Sequence, residues 1–248
     1  MVLYLKPPLY EGHIWLPCYT RFLLGLSASS ALLMNLRRAD LLSIVGELTA
    51  FPYFLQQLHK KMLMNSTGRR ILFERPRMTL ITLNPKFLHT LPDNTLGKIY
   101  IKWMDTYKFI PGLRSSVRYI NHEEWAYVMQ RYRESHDFYH ILMGLPASVE
   151  GEILLKWFEW ANMGLPIAIL SAIFGSFSLF FKKKCKNISY PLIKWAIQNG
   201  QQAHESMINI YWEKELKTDI NILRKRIGII PYDLRNSKSN QINSIQFK

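Results

Sequence analysis

The chain has 248 residues, of which 48% are hydrophobic and 20% charged, enough apolar material for one sizeable core and too much for general disorder. Lys and Arg outnumber Asp and Glu by 32 to 18, a formal charge of +14 that favours an anionic partner such as a membrane surface, a phosphorylated ligand or nucleic acid. No helix-turn-helix, zinc-finger or aromatic RNA-binding spacing accompanies that charge, so no nucleic-acid partner is expected, and two cysteines without CxxC spacing, Cys18 and Cys185, exclude a disulfide framework and point to a reducing compartment.

No linker-like composition divides the chain. The reading is an N-terminal extension over 1–9, one helical domain over 10–230 and a polar tail over 231–248, loosely held from Asn236 onward. The opening residues MVLYLKPPLYEGH carry neither a secretory signal nor the Arg/Ser-rich stretch of an organelle transit peptide.

Helical periodicity dominates. From Arg21 to Leu36 apolar residues cover nearly every face, the mark of a helix buried in a core or pressed on lipid. Leu41 to Met64 carries a second helical pattern, with a break expected at Pro52 and a stop at Gly68. Between Pro76 and Pro111 the Pro, Asn and Asp punctuation predicts a loop region, with MTLITL open to either a strand or a helical turn. A capping-box pattern, Asn121 with Glu124, predicts the start of a long helix through Trp125, Val128, Met129, Tyr132, His136, His140 and Met143, ended by Gly144 and Pro146. The next helix is predicted from Ser148 to Met163, so the two form an αα-hairpin. Leu165 to Phe181 is the most apolar stretch, slightly short of the roughly 20 residues that span a bilayer, and it contains Pro166 and Gly175. A buried or membrane-surface helix is the preferred reading over a span, and the lysines that close it, Lys182, Lys183, Lys184 and Lys186, read equally as lipid-phosphate contacts or as a solvated terminus. A last long helix is predicted from Ile193 to Ile227, with the stripe Leu216, Ile220, Leu223, Ile227 and a stop at Gly228.

The chemistry concentrates in the hairpin. His136 and His140 stand four apart, one helical turn, so both imidazoles can reach one metal. Asp137 lies near the same edge, and a turn at Gly144 to Ser148 brings Glu152 beside the last turn of the preceding helix. The plainer alternative makes the histidines hydrogen-bonded core residues, with Asp137 and Glu152 facing water.

The string HDFYH, eleven further residues and Glu152 give HDxxH-x11-E, which resembles the signature of the ubiquinone (coenzyme Q) biosynthesis Coq-four family. YEGHI, RRADLLSIVGE, GRRILFERPR, AYVMQRYRESHDFYHILMGLP, GEILLKWFEW and NIYWEKEL extend the resemblance from Tyr10 to Ile229. Leu48 and Ala50 depart from the family's Thr and Gly, and Pro146-Ala147-Ser148 departs from its PTN.

The resemblance implies an all-α protein, a single multi-helix domain with a metal-binding αα-hairpin. It implies that His136, Asp137, His140 and Glu152 hold a divalent metal, with zinc expected and iron, cobalt or manganese also suited to two imidazoles and two carboxylates. The implied reaction is oxidative C1 decarboxylation of 4-hydroxy-3-methoxy-5-polyprenylbenzoate. The implied setting is the matrix face of the mitochondrial inner membrane, peripherally bound, with polyprenylated benzoate or quinone intermediates, other coenzyme Q enzymes and the lipid surface as partners and a homodimer as the expected assembly. The helices Arg21 to Leu36 and Leu165 to Phe181 would then offer an apolar trough for the isoprenoid. The alternative is a non-catalytic scaffold or lipid-presenting protein with a structural metal, which a closed set of four protein ligands would favour.

Overall fold

A computed structural model of the protein describes residues 7–34, 38–181 and 189–232. The closing lysines Lys182 to Lys186, Cys185 and the tail from Asn236 lie outside these residues. The architecture is all-α. In chain order the helices are α1 (Cys18–Met34), α2 (Ala39–Thr49), α3 (Pro52–Met64), α4 (Ser66–Glu74), α5 (Leu80–Leu83), α6 (Pro85–Thr90) and α7 (Leu96–Tyr107). Then follow α8 (Glu123–Met143), α9 (Val149–Met163), α10 (Pro166–Phe181), α11 (Tyr190–Gln202), a 3-10 turn at Met207–Asn209, α12 (Trp212–Glu215) and α13 (Ile220–Ile227). Among the described residues β pairing is confined to an isolated bridge between Thr95 and Asp219.

The break at Pro52 is present, because proline forces Phe51 into extended backbone (φ −56°, ψ 151°) and ends α2. Gly68 is no stop. Asn65 separates α3 from α4, leaving the helix at ψ 137° and accepting the Gly68 N–H on its side chain. The expected loop region at 76–111 is instead helical, since its punctuating residues act as caps. Thr79 and Thr82 form a reciprocal capping pair on α5, Asn84 caps α6 and Thr95 caps α7.

The long helix expected over 193–227 is also divided. Ala203 turns to extended backbone after α11, and Asp219 starts α13 by accepting the Asn221 and Ile222 N–H groups. The predicted stripe Leu216, Ile220, Leu223 and Ile227 is nonetheless buried. At the start of α8 the cap is His122 rather than Asn121. The Asn121 side chain pairs instead with His13 Nε2 at 3.0 Å, while Glu124 faces His59 at 3.3 Å.

One apolar core runs through the molecule, with α8 along its centre. Seventeen of the 21 residues of α8 are buried, so its polar residues must find partners inside the protein. Arg131 binds Glu213 and the Ile210 carbonyl, Arg133 pairs with Glu47, and Glu134 takes Arg77 and the Met78 N–H. On its apolar side Phe138 is stacked between Tyr100 (4.5 Å) of α7 and Trp212 (5.4 Å) of α12. Outside this centre α9 packs between α10 and α11, and α1 lies on α2, which touches α10.

The turn between α8 and α9 needs two glycines for different reasons. Gly144 adopts φ +69° and closes α8 through N–H bonds to the His140 and Ile141 carbonyls. At Gly151 a Cβ would lie 2.0 Å from the Pro146 carbonyl oxygen, so only glycine lets α9 begin this close to the turn. Ser148 caps α9 by accepting the Gly151 N–H at 3.1 Å.

Candidate metal centre

Tyr132, His136 and His140 recur at intervals of four along α8, and Glu152, Lys156 and Glu159 recur at four and three along α9. Each set therefore forms one polar stripe, and the hairpin lays the stripes against each other in opposite directions. At the turn end, Glu152 Oε1 lies 3.1 Å from His140 Nε2 and Glu152 Oε2 lies 3.3 Å from His136 Nε2. Ligand atoms of these three side chains fall within 4.8 Å of one another, a convergence suited to a single cation.

Deeper in, His136 Nδ1 is 2.6 Å from Glu159 Oε1. Glu159 is fully buried, and its other oxygen accepts from Lys156 Nζ and the Tyr132 hydroxyl, each at 2.6 Å. A carboxylate on Nδ1 holds the proton there and leaves the Nε2 lone pair directed at Glu152, the tautomer that a metal requires. His140 is braced differently, by packing. Its ring lies 5.3 Å from Trp103, stands at 88° to His136 at 5.0 Å, and its buried Nδ1 has no hydrogen-bond partner among the described residues.

The electrostatics follow from this crowding. Burial is the largest influence on His136 and, with Lys156, pulls its pKa down, but Glu159 and Glu152 outweigh them and hold it above the ordinary 6.5. Burial likewise raises Glu152, yet His136 and His140 bring its carboxyl well below 4.5, and Lys156 and His136 bring Glu159 to about 2 against the same penalty. A raised pKa contributes stability that is complete below the unfolded value and lost as pH climbs through the folded one. Metal-free protein is therefore expected to melt at lower temperature as pH rises from about 6 to about 8, the range in which histidine titrates. With a divalent metal added the trend should reverse, because ligation needs neutral imidazoles. Melting curves with and without metal across that range check this, and parallel curves would show that no metal competes with the His136 proton.

Asp137 does not join the three. Turned about 100° from His136 along the helix, it is buried and held by the Arg114 guanidinium. Nor does it face water, as the plainer sequence alternative supposed. The sequence reading missed Glu159, Lys156 and Arg114. The i, i+4, i+7 spacing of Glu152, Lys156 and Glu159 was an available signal for the first two, whereas nothing in sequence links Arg114 to Asp137.

The family-level sequence profile described as "Coenzyme Q (ubiquinone) biosynthesis protein Coq4" matches residues 10–233. The chain belongs to the Coq4 family. Among curated relatives, "Ubiquinone biosynthesis protein COQ4, mitochondrial" of Phaeosphaeria nodorum is 50% identical over 240 residues, covering 96% of this chain and 81% of the relative. The protein of the same description from Schizosaccharomyces pombe is 47% identical over 224 residues, covering 89% and 80%. A crystal structure from Nostoc punctiforme, of a protein named for ubiquinone biosynthesis, superposes with a TM-score of 0.65 at 22% identity, over 82% of this chain and 96% of that one. At that identity the likeness establishes a shared fold alone.

Proposed function

We propose that the protein acts in ubiquinone biosynthesis as a metal-dependent enzyme that oxidatively removes the C1 carboxyl of a 4-hydroxy-3-methoxy-5-polyprenylbenzoate. The observation that carries this reading is the number of converging side chains. His136, His140 and Glu152 supply three donors while Asp137 is engaged by Arg114, and a three-donor centre keeps a position for substrate or water, as catalytic sites do. His136 and His140 would hold the cation through Nε2 and Glu152 through its carboxylate, with Glu159 fixing the His136 ring. A divalent cation there supplies charge neutralisation and orientation for the ring carboxylate and adjacent phenol oxygen; zinc is expected, with iron, cobalt or manganese compatible, and redox-inert zinc would leave the electron-rich ring to reduce dioxygen. Trp103 covers His140 and meets Phe109 at a tilt, ring centroids 5.7 Å apart, screening that flank from water. Purification without oxygen, metal analysis, and turnover of a short-tailed substrate with and without oxygen test the reading. Full metal content with no turnover under either condition would favour a scaffold.

The reading includes peripheral attachment to the matrix face of the mitochondrial inner membrane, a homodimer, and association with other coenzyme Q enzymes. No helix among the described residues is long and apolar enough to cross a membrane. One observation supports a lipid surface as partner: α1 leaves Phe22 (70% exposed), Leu23 and Leu26 outside the core. Each such side chain would contribute roughly 1.5–3 kcal/mol if fully buried in lipid. Carbonate or high-salt washing is expected to release the protein from mitochondrial membranes, and a Phe22→Glu, Leu26→Glu double variant to shift it to the soluble fraction without loss of melting temperature. Resistance to both washes would point to a span.

A further inference from the structure

Leu80 and Ile81 on α5 and Phe109, Ile110 and Leu113 in the segment after α7 are all exposed, Ile81 by 89% and Leu113 by 73%. The two segments touch. At Gly112 (φ +72°) a Cβ would stand 2.6 Å from the Thr79 carbonyl carbon and 2.8 Å from the Leu80 nitrogen, so the five side chains share one neighbourhood. An exposed apolar cluster of this kind marks a contact with a lipid or a protein. It also borders the candidate metal centre, since the Phe109 ring lies 5.7 Å from Trp103 and Trp103 lies 5.3 Å from His140.

Charge selects the occupant. Arg75 to Pro92 and Thr106 to His122, the segments that carry the cluster, hold six Lys or Arg residues and no Asp or Glu. Arg75 and Arg77 are paired with Glu123 and Glu134. Lys108 directly precedes Phe109 and Lys86 follows Ile81 by five positions, and both are exposed. An apolar centre with a cationic border matches an anionic bilayer, whose headgroups take the cations while its acyl region takes the side chains. A second copy of the chain fits poorly, because a two-fold contact sets this border against itself. The α1 face differs, for its one cation, Arg21, turns inward to the Glu47 carbonyl.

We propose that Leu80, Ile81 and the Phe109 to Leu113 segment form the surface on which the protein docks to an anionic bilayer, so that the candidate metal centre opens toward the lipid. The proposal rests on the decarboxylase reading for its purpose. A polyprenyl tail stays in the acyl region while its ring reaches the centre beside Phe109 and Trp103, and the tail never enters water. On this arrangement α1 adds adhesion, and the surface at the centre sets the orientation.

The test measures binding of the full chain to phosphatidylcholine vesicles with and without phosphatidylglycerol, beside turnover of a long-tailed acid held in the vesicles and of a short-tailed acid in solution. An Ile81→Glu, Leu113→Glu double variant should weaken vesicle binding at least about tenfold. It should also cut turnover of the long-tailed acid, with melting temperature, metal content and short-tailed turnover unchanged. Ile81→Ser, Leu113→Ser, which adds no charge, should fall between. Lys86→Gln, Lys108→Gln should weaken binding to the anionic vesicles alone, by about ten- to thirtyfold. Unchanged vesicle binding in the glutamate variant would overturn the surface, and so would a wild type that ignores both kinds of vesicle, which would leave a protein as the occupant. Loss of short-tailed turnover in step with long-tailed would overturn the orientation toward lipid. A wild type that binds vesicles through these residues but turns over neither acid would overturn the decarboxylase reading and leave the surface standing.

Discussion

Glu152→Gln is expected to lower removal of the C1 carboxyl by at least about 100-fold, the upper end of what loss of an outer-shell partner alone costs a metal site. The side chain is nearly isosteric and lies at the first turn of a helix capped independently by Ser148, so the start of α9 does not depend on its charge. What the substitution removes is the anion facing both Nε2 atoms at 3.1 and 3.3 Å. The comparison that decides the matter sets decarboxylation rate beside metal content, melting temperature and partner pull-down at equal concentration. A variant that folds, pulls down its partners and turns over at the wild-type rate would refute a catalytic role. Loss of stability, assembly and product in step would put the scaffold reading ahead. In the same assay a His136→Ala, His140→Ala double variant should carry no metal, and full metal content there would remove the centre from consideration.

Glu159→Gln should act on both stability and metal. Its carboxylate is fully buried and neutralises Lys156, itself mostly buried, while accepting from Tyr132 and His136. Removing one partner of a buried ion pair strands the other, a cost of about 3–5 kcal/mol. For a chain of this size each kcal/mol lowers Tm by about 2–4 °C, so the expected fall is roughly 6–20 °C. Metal affinity should drop about 10- to 100-fold, because the His136 ring loses the acceptor that fixes its tautomer. A Glu159→Gln, Lys156→Met double variant separates the effects: it should recover much of the melting temperature, since no uncompensated cation remains, and none of the metal affinity. Recovery of both would mean that Glu159 serves the fold alone.

The parts of this arrangement that sequence could reach are those governed by one helix or one turn. His136 and His140 share a face because a helix turns once in 3.6 residues, and Glu152 meets them because Gly144 and Ser148 bound a short connection. Asp137 stands three before His140 and belongs to the HDxxH-x11-E pattern, which is what groups it with them in sequence, whereas in this structure its carboxylate meets Arg114, a partner that no spacing along one helix reveals. The divisions at 76–111 and 203–220 were hidden for a related reason. Thr79, Asn84, Thr95 and Asp219 read equally well as loop residues and as caps, and only tertiary contacts decide whether a helical turn follows.

The deep burial of α8 also limits when the chain can fold. Arg131 is neutralised by Glu213, 82 positions further on, and Arg133 reaches back to Glu47. A chain delivered N-terminus first can therefore form the hairpin early but cannot seal it. Until Glu213 arrives Arg131 has no counter-charge from α12, and Phe138 lacks the indole of Trp212 on one face. At about 5–20 residues per second that wait lasts several seconds to over ten, and throughout it the apolar flanks of α8 and α9 stay open to a chaperone. The short helix α12, four residues long, acts as the latch: the candidate ligand spacing is written in α8 and α9, but its permanence depends on residues that emerge well after the hairpin.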